Sequence, residues 1–114
     1  MNEPRARVSR GAATIDEATA TLRLEGCSTP RSWGNGPGDR YGWHAHDHHK
    51  VLFCLEGSIV FHTTDGDIAL QAGDRLDLAP GTKHAATVGP EGCRCVEASR
   101  GTLDSAGSQA HPYS

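Results

Sequence analysis

His44-Ala45-His46 is followed directly by Asp47-His48-His49-Lys50, and His84 comes thirty-eight residues after His46. Imidazole is the commonest side-chain metal ligand. A β-strand turns residues i and i+2 to the same face, so a His-x-His pair on a strand can present two ring nitrogens to one ion. A distant histidine on a neighbouring strand can add a third. The chemistry such a set would support is the binding and activation of a transition metal. Lys50 stands where a fourth ligand would be sought, and an ammonium has no lone pair to give.

Positioning these residues requires short strands and tight turns, and the chain is built for both. It has 114 residues, 14 of them glycine, with 36% hydrophobic and 22% charged residues. That suits one small, turn-rich domain. Strands are expected at Tyr41–His46, Lys50–Leu55, Ser58–Thr63, Ile68–Gln71, Arg75–Leu78, His84–Val88 and Arg94–Ala98. Turns are expected at Glu56-Gly57 and at Asp65-Gly66, the latter a hairpin signal because its turn needs positive φ. Strands repeating about every ten residues describe a sandwich or barrel.

Ahead of them, Thr14-Ile15-Asp16-Glu17 matches a capping box. Ile15, Ala18 and Leu22 repeat at helical spacing and Gly26 is a natural stop, so a helix is expected over 15–25. Thr19 and Thr21 are weak helix formers and keep a strand open as the alternative. Residues 1–13 read as a flexible arm able to add an edge strand, 14–100 as the folded barrel, and 101–114 as a disordered tail rich in Ser, Gly and Ala.

A net charge of −3 offers no basic surface for nucleic acid. The longest apolar run, Val51–Leu55, is too short to span a bilayer, and no charged start leads into an apolar leader segment. A cytoplasmic protein with no membrane partner is expected. Cys27, Cys54, Cys93 and Cys95 lack zinc-finger spacing and are expected as free, mainly packed thiols.

The two histidine regions resemble the motifs of the cupin family. The first cupin motif, G-x5-H-x-H-x3–4-E-x6-G, runs here from Gly38 through His44, His46 and Lys50 to Gly57; the second, G-x5-P-x-G-x2-H-x3-N, runs from Gly73 through Ala79, Gly81 and His84 to Val88. Lys50 replaces the motif's glutamate, Ala79 its proline and Val88 its asparagine. The resemblance covers roughly residues 30–98. It implies an all-β fold, a double-stranded β-helix (jelly-roll or cupin barrel), here with a short N-terminal helix.

The resemblance further implies a divalent metal held by His44, His46 and His84. Three imidazoles without a carboxylate suit Fe, Zn, Ni or Cu, and leave positions open for a small-molecule substrate. Cupins with three histidines and no glutamate include oxygenases, so an oxygenase of a small organic molecule is the sharpest enzymatic expectation. A non-catalytic ligand-binding or sensor-type cupin, metal-free or not, is the alternative, because one fold hosts many activities. A homodimer is expected, with the arm at 1–13 and the stretch 30–33 as candidates for exchange between copies.

Lys50 decides between these readings. On strand parity it points inward with His46. An ammonium about 5 Å from a dication is repelled by several kcal/mol at an effective dielectric near 20. It can lose its proton and serve as a catalytic general base, turn outward, pair with Asp77 or Glu97, or mark a site that holds no metal. His48 is expected in a turn, and His49 on the opposite face. His62 reads as a hydrogen-bonded strand residue, and Tyr41 and Trp43 as core aromatics, with a wall at the barrel mouth, Tyr41 donating a hydrogen bond to a ligand, as the alternative.

Overall fold

The computed structural model describes residues 5–100. Its elements are β1 (Ala6–Arg10), α1 (Ile15–Leu24), β2 (Arg31–Asn35), β3 (Arg40–His44), β4 (His49–Thr63), β5 (Gly66–Gln71), β6 (Asp74–Leu78) and β7 (His84–Arg100). Two long strands organise them. β4 and β7 run antiparallel along their whole length, from His49 opposite Arg100 to Thr63 opposite His84. The first half of β4 also pairs β6, which pairs β1, and the C-terminal half of β7 pairs β2. The second half of β4 pairs β5, and the N-terminal half of β7 pairs β3. All pairings are antiparallel. This is the double-stranded β-helix, two strand layers folded from one continuous pair.

Glu56-Gly57 is therefore not a turn between two strands. It lies in a stretch of β4 where the register with β7 slips, between Cys54 and Glu56 and again between Gly57 and Ile59. Bulges of this kind bend a strand without ending it, and here they carry one strand from one layer to the other. Gly57 has φ 71°, and a Cβ there would sit 1.9 Å from the Gly92 carbonyl oxygen. Likewise the two strands expected at 84–88 and 94–98 are one, β7.

Side-chain alternation divides the core in two. Leu52, Cys54, Ile59, Phe61, Leu70, Leu76, Leu78, Val88 and Cys95 fill the barrel. Val51, Phe53, Leu55, Val96 and Ala98 face the other way and pack against Ala18 and Leu22 of α1. The helix begins at its expected N-cap, although Glu17 reaches back one residue past it. Thr14 accepts from the Glu17 N–H at 3.1 Å, and the Glu17 carboxylate accepts from the Ala13 N–H at 3.0 Å.

Residues 6–10, within the segment read as a flexible arm, form an edge strand bound to β6 across five residue pairs. The tail at 101–114 and His111 lie outside the described residues. No helix among the described residues is long and apolar enough to cross a membrane.

Candidate metal centre

His44 ends β3 directly opposite His84, the first residue of β7. Facing residues on paired strands share a face, and the two rings lie 4.4 Å apart. His46 arrives by a different route. The strand expected to run through it stops at His44, so His46 sits in the loop before β4 and strand parity does not place it. A second loop does. The Gly81 N–H donates to the His46 carbonyl at 2.7 Å. Gly81 adopts φ 80°, and the Thr82 hydroxyl closes its turn on the Ala79 carbonyl at 2.7 Å. The loop before β7 thus pins the loop after β3, and the ring of His46 comes to 4.9 Å from His44 and 5.3 Å from His84.

One ring nitrogen from each of His44, His46 and His84 lies within 4.8 Å of the others. The second nitrogens fix the tautomers. His44 Nδ1 is 2.7 Å from the Gly42 carbonyl oxygen and His84 Nδ1 is 2.9 Å from that of Thr82. A carbonyl only accepts, so each Nδ1 carries the proton and each Nε2 keeps its lone pair. Nε2 of His46 and of His84 are buried and have no hydrogen-bond partner among the described residues. Leaving buried polar atoms unpaired costs about 1–3 kcal/mol each, a cost that a bound ion would offset. Burial, followed by the charge of Lys50 and the neighbouring histidines, pushes His46 down to about 3. Burial foremost pushes His84 down to about 4. Both rings are neutral at pH 7, the form that ligates. The donor set fits a divalent Fe, Zn, Ni or Cu ion with positions left open.

These histidines form one wall of a cavity of about 660 Å³, within the size range of small-ligand sites. Trp33, Tyr41, Phe61 and Ala86 supply apolar surface, and Lys50 and Arg31 supply charge. Lys50 points inward and its Nζ lies 3.1 Å from Glu97 Oε1, the second of the two partners sequence suggested. Asp77 is engaged elsewhere, by Arg75 and His49. Burial lowers the Lys50 pKa while the Glu97 charge opposes the shift. Trp33 Nε1 donates to the same Glu97 oxygen at 2.9 Å.

Tyr41 and Trp43 are not core residues: they are 38% and 58% exposed. Tyr41 packs edge-on against Trp33 and donates to Asn35. β3 has one half-buried residue, His44 itself; Tyr41 lines the cavity, whereas Trp43 lies outside its lining. His48 is partly buried with its ring 5.0 Å from His46, but it stands outside the three-nitrogen group. His49 faces away and meets Asp77 at 2.9 Å. His62 bridges Asp67 and Thr87. The four cysteines are free thiols. Arg31 and Trp33 were not legible as site residues. Their one signal is i, i+2 spacing, shared with any strand, and it gains meaning only from β2 lying against β7 opposite Glu97 and Cys95.

The cupin-domain family model matches residues 35–98, more than half of the chain. The chain belongs to the cupin family. Solved cupin structures agree. A cupin-2 domain protein from Shewanella frigidimarina is 24% identical with a TM-score of 0.55, over 62% of this chain and 68% of that one. A double-stranded β-helix protein from Klebsiella pneumoniae is 27% identical with a TM-score of 0.56, over 62% and 64%. A chain from the structures of the DMSP lyases RdDddP and RnDddQII is 26% identical with a TM-score of 0.59, over 63% of this cupin but 37% of that chain. No curated protein sequence matches.

Proposed function

We propose that this cupin is a metal-dependent enzyme acting on a small organic molecule, with the ion held by Nε2 of His44, His46 and His84. The observation that carries the reading is the pair of buried Nε2 atoms, without a hydrogen-bond partner among the described residues, in a three-nitrogen cluster on the wall of a ligand-sized cavity. A bound Fe, Zn, Ni or Cu ion would supply Lewis acidity, or with iron or copper the means to use dioxygen. The chain's own residues do the rest. Trp33, Tyr41 and Phe61 exclude water and seat the apolar part of a substrate. Lys50 and Glu97, 3.1 Å apart, hold a proton between them at the cavity wall. We assign Lys50 as the catalytic acid–base group.

An oxygenase is the first reading, supported by the three-histidine donor set without a carboxylate. A lyase is the second, and one observation favours it: the likeness to DMSP lyases, joined to a proton-handling lysine in the cavity. A lyase needs a residue that takes a proton from its substrate, and Lys50 as the free amine is placed for that.

Metal analysis after reconstitution with Fe(II), Ni, Zn and Cu tests the proposal. We expect one ion per chain for at least one metal, lost in a His44→Ala/His84→Ala variant. Substoichiometric uptake of all four would overturn it. Oxygen uptake by the Fe(II)-loaded protein separates the two reactions. We also propose a homodimer, which a monomeric mass in light scattering at micromolar concentration would rule out.

A further inference from the structure

Lys50 is held in the cavity wall by strands on both sides of it. Its Cα lies opposite Leu78 of β6 and Ser99 of β7, so its backbone is fixed inside the sheet. Its side chain is 6% exposed and lines the cavity of about 660 Å³. Glu97, two residues before Ser99 on β7, brings Oε1 to 3.1 Å from Nζ. Trp33, Tyr41 and Phe61 line the same space. The chain has one other lysine, Lys83, which is exposed and lies outside the lining of this cavity.

An amine in such a place can do more than move a proton. A desolvated lysine is a nucleophile towards carbonyl carbon, and a carboxylate in contact with it can take the ammonium proton and free the lone pair. Burial lowers the Lys50 pKa, with the Glu97 charge opposing, so the free amine is more populated than in a solvated lysine. The ion pair with Glu97 does not stand against the reaction. A protonated imine keeps one positive charge and one N–H on Nζ, so a donor still faces the carboxylate once the bond has formed. The apolar side chains beside it restrict the water that would hydrolyse the imine.

We propose that Lys50 is a covalent binding site for small aldehydes and ketones with an apolar body, captured in the cavity as a protonated imine on Nζ. Glu97 accepts one proton from the ammonium. Nζ attacks the carbonyl carbon, the C–N bond forms, and a second nitrogen proton passes to the oxygen. Glu97 then returns its proton to the resulting hydroxyl, which leaves as water while the C=N bond forms. The three N–H protons of the ammonium end as one on the imine and two in water. The charge on nitrogen is conserved, and no oxidant or reductant is consumed. The imine draws electrons from the adjacent carbon and acidifies its C–H bonds, which gives Lys50 a covalent role beyond its acid–base one. This deepens the small-molecule reading of the cavity by naming a substrate class, and it needs no metal ion.

The test is reductive trapping. Metal-free protein would be incubated with benzaldehyde or butanone and sodium cyanoborohydride, and the alkylated lysine located by peptide mass mapping. We expect Lys50 to be labelled at least about tenfold faster than Lys83, at a rate that saturates with carbonyl concentration. A Lys50→Met/Glu97→Gln variant, its fold checked by circular dichroism, should lose the fast phase while Lys83 is labelled as before. Labelling of Lys83 as fast as Lys50, a Lys50 rate that never saturates, a fast phase that persists in the variant, or no label on Lys50 at millimolar carbonyl would overturn the proposal. Zinc uptake by the same preparation keeps the two readings apart. Zinc bound without labelling of Lys50 sinks the imine and leaves the metal centre standing. Lys50 labelled in protein that takes up no zinc upholds the imine and counts against the metal centre.

Discussion

The two faces of β4 carry two clusters of charged and titratable side chains with opposite character. On the helix side, Arg75 makes two bonds to Glu25 at 2.7 and 2.8 Å and two to Asp77 at 2.7 and 3.2 Å. His49 reaches Asp77 at 2.9 Å, Arg100 reaches Glu25 at 3.0 Å, and the Arg75 guanidinium lies over the Phe53 ring. Donors and acceptors there meet one another. On the barrel side, two imidazole nitrogens have no partner among the described residues and a buried lysine shares one carboxylate oxygen with an indole. A closed network ties α1 to the sheet; an open one is arranged to receive something. The difference teaches that charge burial alone does not mark a functional site, whereas unspent hydrogen-bonding capacity at a cavity does.

The largest effect that would break this comparison is on metal. His84→Ala should cost zinc affinity by more than the roughly 10–100-fold typical of outer-shell changes, read by competition with a chelator. The same variant should leave the helix-side network intact in the far- and near-ultraviolet dichroism. If zinc affinity is unchanged, the barrel side is not a ligand set.

Next comes Lys50→Met, which removes the ammonium beside the buried Glu97 carboxylate. Removing one partner of a buried pair costs about 3–5 kcal/mol, and urea unfolding should show a loss of that order. Adding Glu97→Gln should recover most of it; no recovery would mean that the two side chains do not depend on each other. Glu25→Ala should cost less, about 1–3 kcal/mol, because Glu25 is 28% exposed at its side chain. Zinc affinity should not change in that variant. A zinc defect there would show that the two faces are coupled.

The smallest effects are in pH dependence, and they separate the faces by window. In metal-free protein, His46 and His84 resist protonation when folded, at about 3 and 4 against an ordinary 6.5. The unfolded chain then binds more protons, so stability falls as pH drops from about 6.5 towards 4. Glu25 is held below its usual 4.5, chiefly by its hydrogen bonds to Arg75. Its contribution is present above that value and lost as pH falls through the lowered pKa. Melting temperatures of the wild type, a His46→Ala/His84→Ala variant and Glu25→Gln across this range should show the first variant flattening the upper window and the second the lower. An unchanged upper window in the histidine variant would place those rings in water.

Much of the site was legible before the fold. His44 and His84 were found from spacing; Lys50 does point inward, but the parity that suggested it was counted from His46, which lies off the strand, and its own place on β4 is what turns it to the cavity. The helix start was legible because a capping box is a local hydrogen-bond pattern. Parity failed where regularity ended: His46 lies off the strand, and its place depends on a hydrogen bond from Gly81, thirty-five residues away. Two bent strands were read as four because a glycine at positive φ signals a turn and a bulge alike, and register with β7 decides between them.

Sequence by itself determined the family, the three histidines and the loss of the glutamate ligand at Lys50, since motif spacing is a property of the chain. Tertiary structure decided which carboxylate meets Lys50. Asp77 and Glu97 both sit on strands beside β4, but Asp77 faces the helix layer with Arg75, while Glu97 faces the barrel with Lys50. It also brought Arg31 and Trp33 to the cavity, because β2 lies against the C-terminal half of β7. Local chemistry names the groups able to act; pairing between distant strands determines which of them share a space, and so what that space can bind.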